Sequence, residues 1–149
     1  MSADPVARAL EAVREGLPAG RAMPDVLEVG CGDGAFAARL LAQCPGIALL
    51  AVDRSYAQVQ LAVGRGVTAT MMDVEQLLAP DDAYDVVVAM SMLHEVSDLD
   101  RGLAELRRVL RPGGRLVAVT DGEDESALRR HFDDVRREEL TTETVFVAT

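Results

Sequence analysis

A short apolar strand followed at once by a cluster of glycines constrains this chain more than any other feature of its sequence. Residues 26–36 read VLEVGCGDGAF, and an Ala- and Leu-rich helical pattern continues through Leu41. This sequence predicts a buried strand, a tight turn and the N-terminus of a helix. Glycines permit backbone conformations that a Cβ atom forbids, and they let a ligand approach free N–H groups of the main chain. The stretch therefore indicates a site for a nucleotide-like ligand.

The spacing of the glycines leaves two kinds of nucleotide site open. Gly30, Gly32 and Ala35 satisfy the G-x-G-x-x-A form of the dinucleotide fingerprint. Gly34 adds a further glycine, however, and Glu28 lies two residues before the first one. A loop that faces only a pyrophosphate has little use for a carboxylate at that place. The loop therefore binds either a dinucleotide or another nucleotide-like ligand that makes use of a carboxylate. Other segments of the chain are needed to distinguish these two ligands.

Length and composition limit the class of protein. The chain has 149 residues, of which 49% are hydrophobic, and this is enough for one α/β core, so we expect a single domain over residues 1–149. No apolar run is long enough to span a bilayer, and the first twenty residues do not resemble a signal peptide. The two cysteines lack ligand-spaced partners, which favours reduced thiols in a cytoplasmic protein and predicts no metal site.

Missing residue types argue against several functions. The sequence has no lysine, which removes Schiff-base chemistry and the P-loop. It also has no tryptophan and few other aromatic residues, so platforms for stacking single-stranded nucleic acid are scarce. A net charge of −10 works against binding a phosphate backbone. Nucleic acid is thus a disfavoured substrate.

Strands and helices alternate along the chain. Helices are predicted at residues 5–16, from 35 to about 44, and at 56–63, 99–110 and 126–132. Strands are predicted at residues 26–29, 47–52, 67–72, 84–90, 115–120, 135–140 and 143–148. This alternation predicts an α/β fold: a doubly wound, mostly parallel seven-stranded sheet with helices on both faces and an antiparallel last strand. Residues 136–139 are all charged, as expected of a sheet edge, and residues 145–147 are apolar, as expected of an inserted strand.

Acidic residues lie at the ends of successive strands. Glu28, Asp53 and Asp73 occupy such positions, and ligands of doubly wound sheets lie beyond the carboxyl ends of the strands. Asp53 follows the glycine loop by ~20 residues, as expected of an acid that binds a ribose. A carboxylate can accept hydrogen bonds from both ribose hydroxyls. Asp73 has a second interpretation, as the N-cap of a short helix over residues 74–78.

Several segments together resemble one family. The pattern E-x-G-x-G-x-G at residues 28–34 looks like motif I of the class I S-adenosylmethionine (SAM)-dependent methyltransferases. Residues 84–88 (YDVVV) and 93–96 (LHEV) resemble the family's fourth strand and the loop after it. Residues 106–116 (LRRVLRPGGRL) resemble the junction between helix and strand five in small-molecule methyltransferases. The resemblance runs from about residue 26 to residue 120 in the right order.

This resemblance implies a cofactor and its contacts. In the family, the acidic residue and the glycine loop hold the methionine end of SAM, which carries an ammonium as well as a carboxylate. Asp53 looks like the acid that binds the ribose, and residues 72–74 look like the segment beside the adenine. The implied methyl donor is SAM, and the implied product is S-adenosylhomocysteine. The residues implied to bind the cofactor are Glu28, Gly30, Cys31, Gly32, Gly34, Asp53, Arg54, Asp73, Val74 and Met90.

His94 is the candidate catalytic residue. It follows strand four, in the loop toward which the transferred methyl group should point. An unperturbed imidazole titrates near neutral pH, so His94 is the best candidate for a general base toward a hydroxyl nucleophile. The alternative is that His94 belongs to a loop that does not touch the substrate.

The acceptor side of the site is the least defined. Family members usually insert helices after strand five or add an N-terminal segment over the substrate, whereas residues 121–125 read as a bare loop. We expect a shallow acceptor site, or one completed by a second copy or a protein partner near residues 94–99 and 121–128. The predicted reaction is methyl transfer from SAM to a small molecule, through an oxygen or a nitrogen nucleophile. The alternative is a non-catalytic SAM-fold module that serves as a partner or scaffold subunit.

Overall fold

The computed structural model describes residues 4–149, which form one seven-stranded sheet flanked by helices. The strands are β1 (Asp25–Val29), β2 (Ala48–Asp53), β3 (Ala69–Met71), β4 (Tyr84–Met90), β5 (Leu110–Thr120), β6 (Val135–Glu139) and β7 (Thr144–Ala148). The helices are α1 (Pro5–Gly16), α2 (Ala35–Gln43), α3 (Tyr56–Gly64), α4 (Leu99–Val109) and α5 (Glu125–His131), and a 3₁₀ turn covers Leu93–Glu95.

The sheet has the order β3-β2-β1-β4-β5-β7-β6. Strands β1 to β5 pair in parallel, and β7 runs antiparallel to both β5 and β6. The predicted doubly wound sheet with an antiparallel last strand is thus confirmed. The order of the strands reverses between β1 and β4, so a crevice opens at the carboxyl ends of these two central strands.

Helices cover both faces of the sheet, as predicted. Apolar side chains of α1 and α2 form one buried layer, together with inward residues of the central strands. Apolar side chains of α4 and α5 form the other layer, on the opposite face. Helix α1 begins as its sequence suggests, because the Asp4 carboxylate accepts a hydrogen bond from the Val6 N–H and Pro5 occupies the first turn.

The two ends of the sheet differ in character. The charged strand β6 forms one edge, and the apolar strand β7 lies between β5 and β6, as the sequence predicts. The opposite edge is β3, which is shorter than expected because only Ala69–Met71 pair with β2. Strand β5 begins earlier than expected, since Leu110 already pairs with Tyr84. No helix within residues 4–149 is both long enough and apolar enough to cross a membrane.

Candidate functional site

Three glycines shape the loop between β1 and α2. Gly30, Gly32 and Gly34 have φ angles of +61°, +55° and +83°, in the left-handed region that strains other residues. A Cβ atom at Gly30 would lie 2.7 Å from the Met92 side chain, and one at Gly34 would lie 2.7 Å from that of Ala62. At Gly32 the nearest atom would be 4.0 Å away. A side chain at Gly30 or Gly34 would therefore collide with its neighbours, whereas Gly32 leaves open space beside the loop.

Asp53, at the end of β2, holds the glycine loop in place. One carboxylate oxygen accepts the Gly32 N–H at 2.9 Å, and the other accepts the Ser55 N–H at 2.9 Å. The Cys31 N–H also donates to the Val52 carbonyl at 2.9 Å. Since each carboxylate oxygen has a second lone pair, Asp53 can accept ribose hydroxyls while it keeps these backbone bonds.

Glu28 is buried inside the central strand β1, with only 1% of its surface exposed. Within residues 4–149, its Oε1 atom has no hydrogen-bond partner. Burial raises the pKa of the Glu28 carboxyl from 4.5 to about 8, and the charges of Asp53 and Asp33 add smaller contributions. A positively charged group near this carboxyl would favour its ionised form. The strand therefore contains an acid that suits a cationic ligand.

A cleft opens at the carboxyl ends of β1, β2 and β4. Its walls combine apolar side chains with acidic ones and a single arginine. The lining residues are Val29, Gly30, Val52, Asp53, Arg54, Met72, Asp73, Val74, Glu75, Met92, Glu95 and Val96.

One wall of the cleft is a turn held in place by helix α4. The Asp73 carboxylate accepts a hydrogen bond from the Glu75 N–H at 2.9 Å. Residues 74 and 75 form a turn closed by a bridge between Asp73 and Gln76, so the alternative of a helix over residues 74–78 is wrong. The Arg101 guanidinium donates to the Glu75 carbonyl at 3.0 Å, and Arg108 donates to the Leu77 carbonyl at 3.1 Å. Because these bonds fix the main chain, the wall is preformed.

The cleft brings together half of the residues that the sequence implied. Gly30, Asp53, Arg54, Asp73 and Val74 line it directly. The other loop glycines belong to the same turn, and Glu28 is buried in the strand that leads into it.

Cys31 is buried within the glycine loop. Burial, with smaller contributions from the charges of Glu28 and Asp53, raises the pKa of its thiol to about 12. A neutral, buried thiol is poorly suited to act as a nucleophile.

Met92, rather than Met90, reaches the cleft. Met90 packs with the layer formed by α1 and α2, whereas the Met92 side chain lies against Gly30. The chain between them passes through Ser91, which has a φ of +52°. Met90 is the last residue of β4 and Met92 follows two positions later, so the sequence alone offers no signal to choose between them. Glu75, Glu95 and Val96 are further lining residues that the sequence did not indicate.

Ser91 is held in its strained conformation by a distant residue. Its hydroxyl donates to the Glu143 carboxylate at 2.6 Å, and its N–H donates to the Val119 carbonyl at 2.8 Å. Glu143 precedes β7 and lies 52 positions further along the chain. Residues in the left-handed region persist where their surroundings hold them, and they are frequent near functional sites. Glu143 thus supports the turn that places Met92 over the glycine loop.

His94 lies beside the cleft and does not line it. Its side chain is 65% exposed, and its Nε2 atom is 3.9 Å from a carboxylate oxygen of Glu95. Burial and the charge of Asp121 raise the pKa of Asp124, while the charge of His94 opposes this shift. His94 is therefore close enough to the loop after β5 to interact electrostatically with Asp124. Residues 121–124 alone join β5 to α5, so this side of the site is open.

Comparison with known proteins matches residues 27–118 to a family model described as a methyltransferase domain. Malonyl-acyl-carrier-protein O-methyltransferase from Paenibacillus sp. (strain JDR-2) is 33% identical over 108 residues, and the match covers 66% of this chain. The same match covers 39% of that relative, so this chain spans well under half of its length.

Solved structures show the same fold. The carbon methyltransferase CurJ superposes with a TM-score of 0.79 at 20% identity, over 96% of this chain and 54% of that one. The 4+2 cyclase SpnF superposes with a TM-score of 0.66 at 34% identity, over 76% of this chain and 44% of that one.

The buried carboxyl of Glu28 predicts how stability depends on pH. Its folded pKa of about 8 lies above the ordinary value of 4.5, so the native state binds more protons than the unfolded state between these values. The free energy of unfolding should therefore fall as pH rises through that window. Glu28→Gln should reduce this loss, whereas Glu123→Gln, at an exposed position, should leave it unchanged. Urea unfolding from about pH 5 to about pH 9 measures it. Equal slopes in all three proteins would contradict the assignment.

The bond between Ser91 and Glu143 predicts a non-additive pair of substitutions. Ser91→Ala removes the hydrogen bond but keeps the strained backbone, and it should lower the free energy of unfolding by about 1 kcal/mol. Glu143→Ala should cost a similar amount in the wild-type chain and nothing further in the Ser91→Ala chain. Ser91→Gly should cost less than Ser91→Ala, because glycine tolerates the positive φ. Additive losses in urea unfolding would refute the coupling.

Proposed function

The chain belongs to the methyltransferase domain family, and on that basis we propose that it transfers a methyl group from SAM to a small-molecule acceptor. S-adenosylhomocysteine is then the second product. The acceptor atom is an oxygen or a nitrogen, and its choice depends on the open side of the site.

The buried Glu28 carboxyl is the observation that carries the proposal. SAM has an ammonium group on its methionine end, and this cation would stabilise the ionised form of an acid whose pKa burial has raised. The pyrophosphate of a dinucleotide would bring negative charge to the same loop and disfavour ionisation further. Glu28 therefore favours SAM over a nicotinamide dinucleotide as the ligand of the glycine loop.

The other residues of the site fit the remaining parts of SAM. Gly32 leaves space against the main chain, where the methionine end can approach the backbone. Asp53 can accept hydrogen bonds from the ribose hydroxyls. The apolar side chains of Val74 and Met72 offer a surface for the adenine, beside the Asp73 turn. The cleft thus offers complementary groups for the ribose and the adenine, and Glu28 lies buried in the strand that leads into the adjoining glycine loop.

Catalysis in such a site rests mainly on alignment. SAM bound here would supply a methyl group on a positively charged sulfur, and this sulfur would leave as the acceptor takes the methyl group. The preformed loop and the wall fixed by α4 hold one side of the reaction in place, which lowers the entropic part of the barrier. The acceptor loses a proton as it gains the methyl group, and His94 is the base that takes this proton.

A non-catalytic module is the second candidate function. The exposed position of His94 and the open loop at residues 121–124 favour it, since nothing in residues 4–149 closes over an acceptor. A protein with this fold is also named as a cyclase, so the fold alone does not establish methyl transfer. On this alternative, a second copy or a protein partner covers the face around residues 94–99 and 121–128.

Titration calorimetry tests the cofactor assignment. S-adenosylhomocysteine should bind and raise the unfolding temperature, whereas NAD should do neither. Asp53→Ala should weaken S-adenosylhomocysteine binding by about 1–3 kcal/mol, because it removes acceptors for the ribose and the anchor of the glycine loop. Asp134→Ala is the control, because this exposed carboxylate lies outside the cleft. Unchanged affinity in Asp53→Ala would refute the assignment.

Turnover with a panel of hydroxyl and amine acceptors tests catalysis. His94→Ala should reduce turnover by roughly 10²–10⁴-fold and leave the affinity for S-adenosylhomocysteine nearly unchanged. The matched control is His131→Ala, since His131 lies on α5 and pairs with Asp100 at 2.8 Å. Normal turnover in His94→Ala would exclude the base role. Binding without turnover of any acceptor would favour the non-catalytic module.

A further inference from the structure

A surface around α3 and β3 exposes most of the large apolar side chains that face solvent. Five such side chains are between 49% and 77% exposed: Tyr56, Leu61 and Val63 on α3, Met71 on β3, and Leu78 in the turn after it. We call these five residues the α3–β3 patch. The remaining large apolar side chain exposed to this degree within residues 4–149 is Met23, which lies in the connection before β1. Clustered exposed apolar residues mark an interaction surface, whereas scattered ones do not.

Helix α3 differs from the other helices in residues 4–149 because it carries no charged residue. Its sequence, YAQVQLAVG, is apolar or neutral on every side. A helix with this pattern is normally buried all round, yet the outward side chains of α3 face solvent. The composition of α3 therefore fits a helix that is covered in the functional assembly.

The edge strand β3 presents free backbone groups beside this helix. The Thr68 carbonyl and the Met72 N–H both bond to β2, so Thr70, midway between them, also turns its backbone toward β2. Alternation along the strand then leaves the N–H and carbonyl groups of Ala69 and Met71 directed outward. The other edge, β6, carries four successive charges that guard it against pairing, and β3 carries none.

The free backbone groups of one β3 strand can pair with those of the β3 strand in a second copy. In an antiparallel pair centred on Thr70, Ala69 of each copy faces Met71 of the other, and such a pair exchanges both backbone hydrogen bonds. Thr70 then faces its own copy at a position without hydrogen bonds, where the Cα atoms are about 4.5 Å apart. The arrangement has a two-fold axis, which is the commonest symmetry of soluble oligomers.

The distribution of charge also favours a second copy. The chain has a net charge of −10, so most pairs of surfaces from two copies repel each other. Between Ser55 and Met72, Arg65 is the single charged residue, and it pairs with Asp33 at 3.2 Å. Apart from this pair, α3 and β3 therefore offer no charge that would select an acidic or a basic partner. Its complement is an equally neutral apolar surface, which the copy provides.

We propose that this chain forms a two-fold dimer through the α3–β3 patch, with the β3 strands paired antiparallel around Thr70 and the α3 helices packed beside them. The dimer joins two sheets edge to edge and buries the apolar face of α3. It leaves the acceptor side of the cleft, around residues 121–124, uncovered. This dimer surface thus differs from the face around residues 94–99 and 121–128, where the sequence led us to expect a partner.

Sedimentation velocity of the chain over a wide range of concentration tests the proposal. The wild-type chain should dimerise as concentration rises, and added salt should favour the dimer by screening the net charge. Val63→Glu and Met71→Glu should each be monomeric at the concentrations where the wild type is dimeric. Met23→Glu is the matched control and should dimerise like the wild type. All three positions are exposed, so thermal unfolding should show that each variant folds.

Crosslinking tests the predicted strand register. Thr70→Cys in a Cys44→Ala background should form an intermolecular disulfide under mild oxidation, because Cα atoms at this separation lie within the range of a disulfide. Cys31 is buried, with a thiol pKa of about 12, so it should not compete. A wild-type chain that stays monomeric at every concentration would overturn the proposal. A dimer that persists in both glutamate variants, or a dimer that Thr70→Cys fails to crosslink, would also overturn it.

Discussion

A carboxyl group buried in the central strand is the constraint around which this site is organised. Burying Glu28 costs free energy, and no hydrogen bond within residues 4–149 compensates its Oε1 atom. The glycine loop begins two residues later, and Asp53 fixes that loop to the neighbouring strand through the Gly32 N–H. A cationic ligand at this place would recover the energy that burial costs. The fold therefore bears an electrostatic penalty in the strand that leads into the glycine loop.

The two sides of the cleft differ in how rigidly hydrogen bonds hold their main chain. On the cofactor side, hydrogen bonds from Asp53, Arg101 and Arg108 fix the main chain of the loop and the wall. On the acceptor side, His94 is exposed and a four-residue connection joins β5 to α5. Preorganised geometry of this kind supports binding of a cofactor directly, whereas catalysis also requires an acceptor to be held in line. The cofactor side is thus preformed, whereas the acceptor side is open.

Local patterns in the sequence predicted most of the fold, because strand and helix periods and glycine turns depend on neighbouring residues. These patterns predicted the strand ends and the glycine loop, and therefore also the cluster of Gly30, Asp53 and Asp73. Contacts between residues far apart in the sequence could not be predicted from such local patterns. Glu143 reaches Ser91 only because the last hairpin folds back onto the carboxyl end of the sheet. The choice of Met92 over Met90 depends on one left-handed residue between them, and the turn at Asp73 depends on bonds from α4.

Proton release on ligand binding tests the role of Glu28 most directly. Near neutral pH, a carboxyl with a pKa of about 8 is largely protonated, and an ammonium bound beside it should make it ionise. Calorimetry of S-adenosylhomocysteine binding in buffers with different ionisation enthalpies measures this exchange. We expect a proton to be released by the wild-type chain and none by Glu28→Gln. Equal proton exchange in the two proteins would contradict the claim that Glu28 receives the ammonium of the ligand.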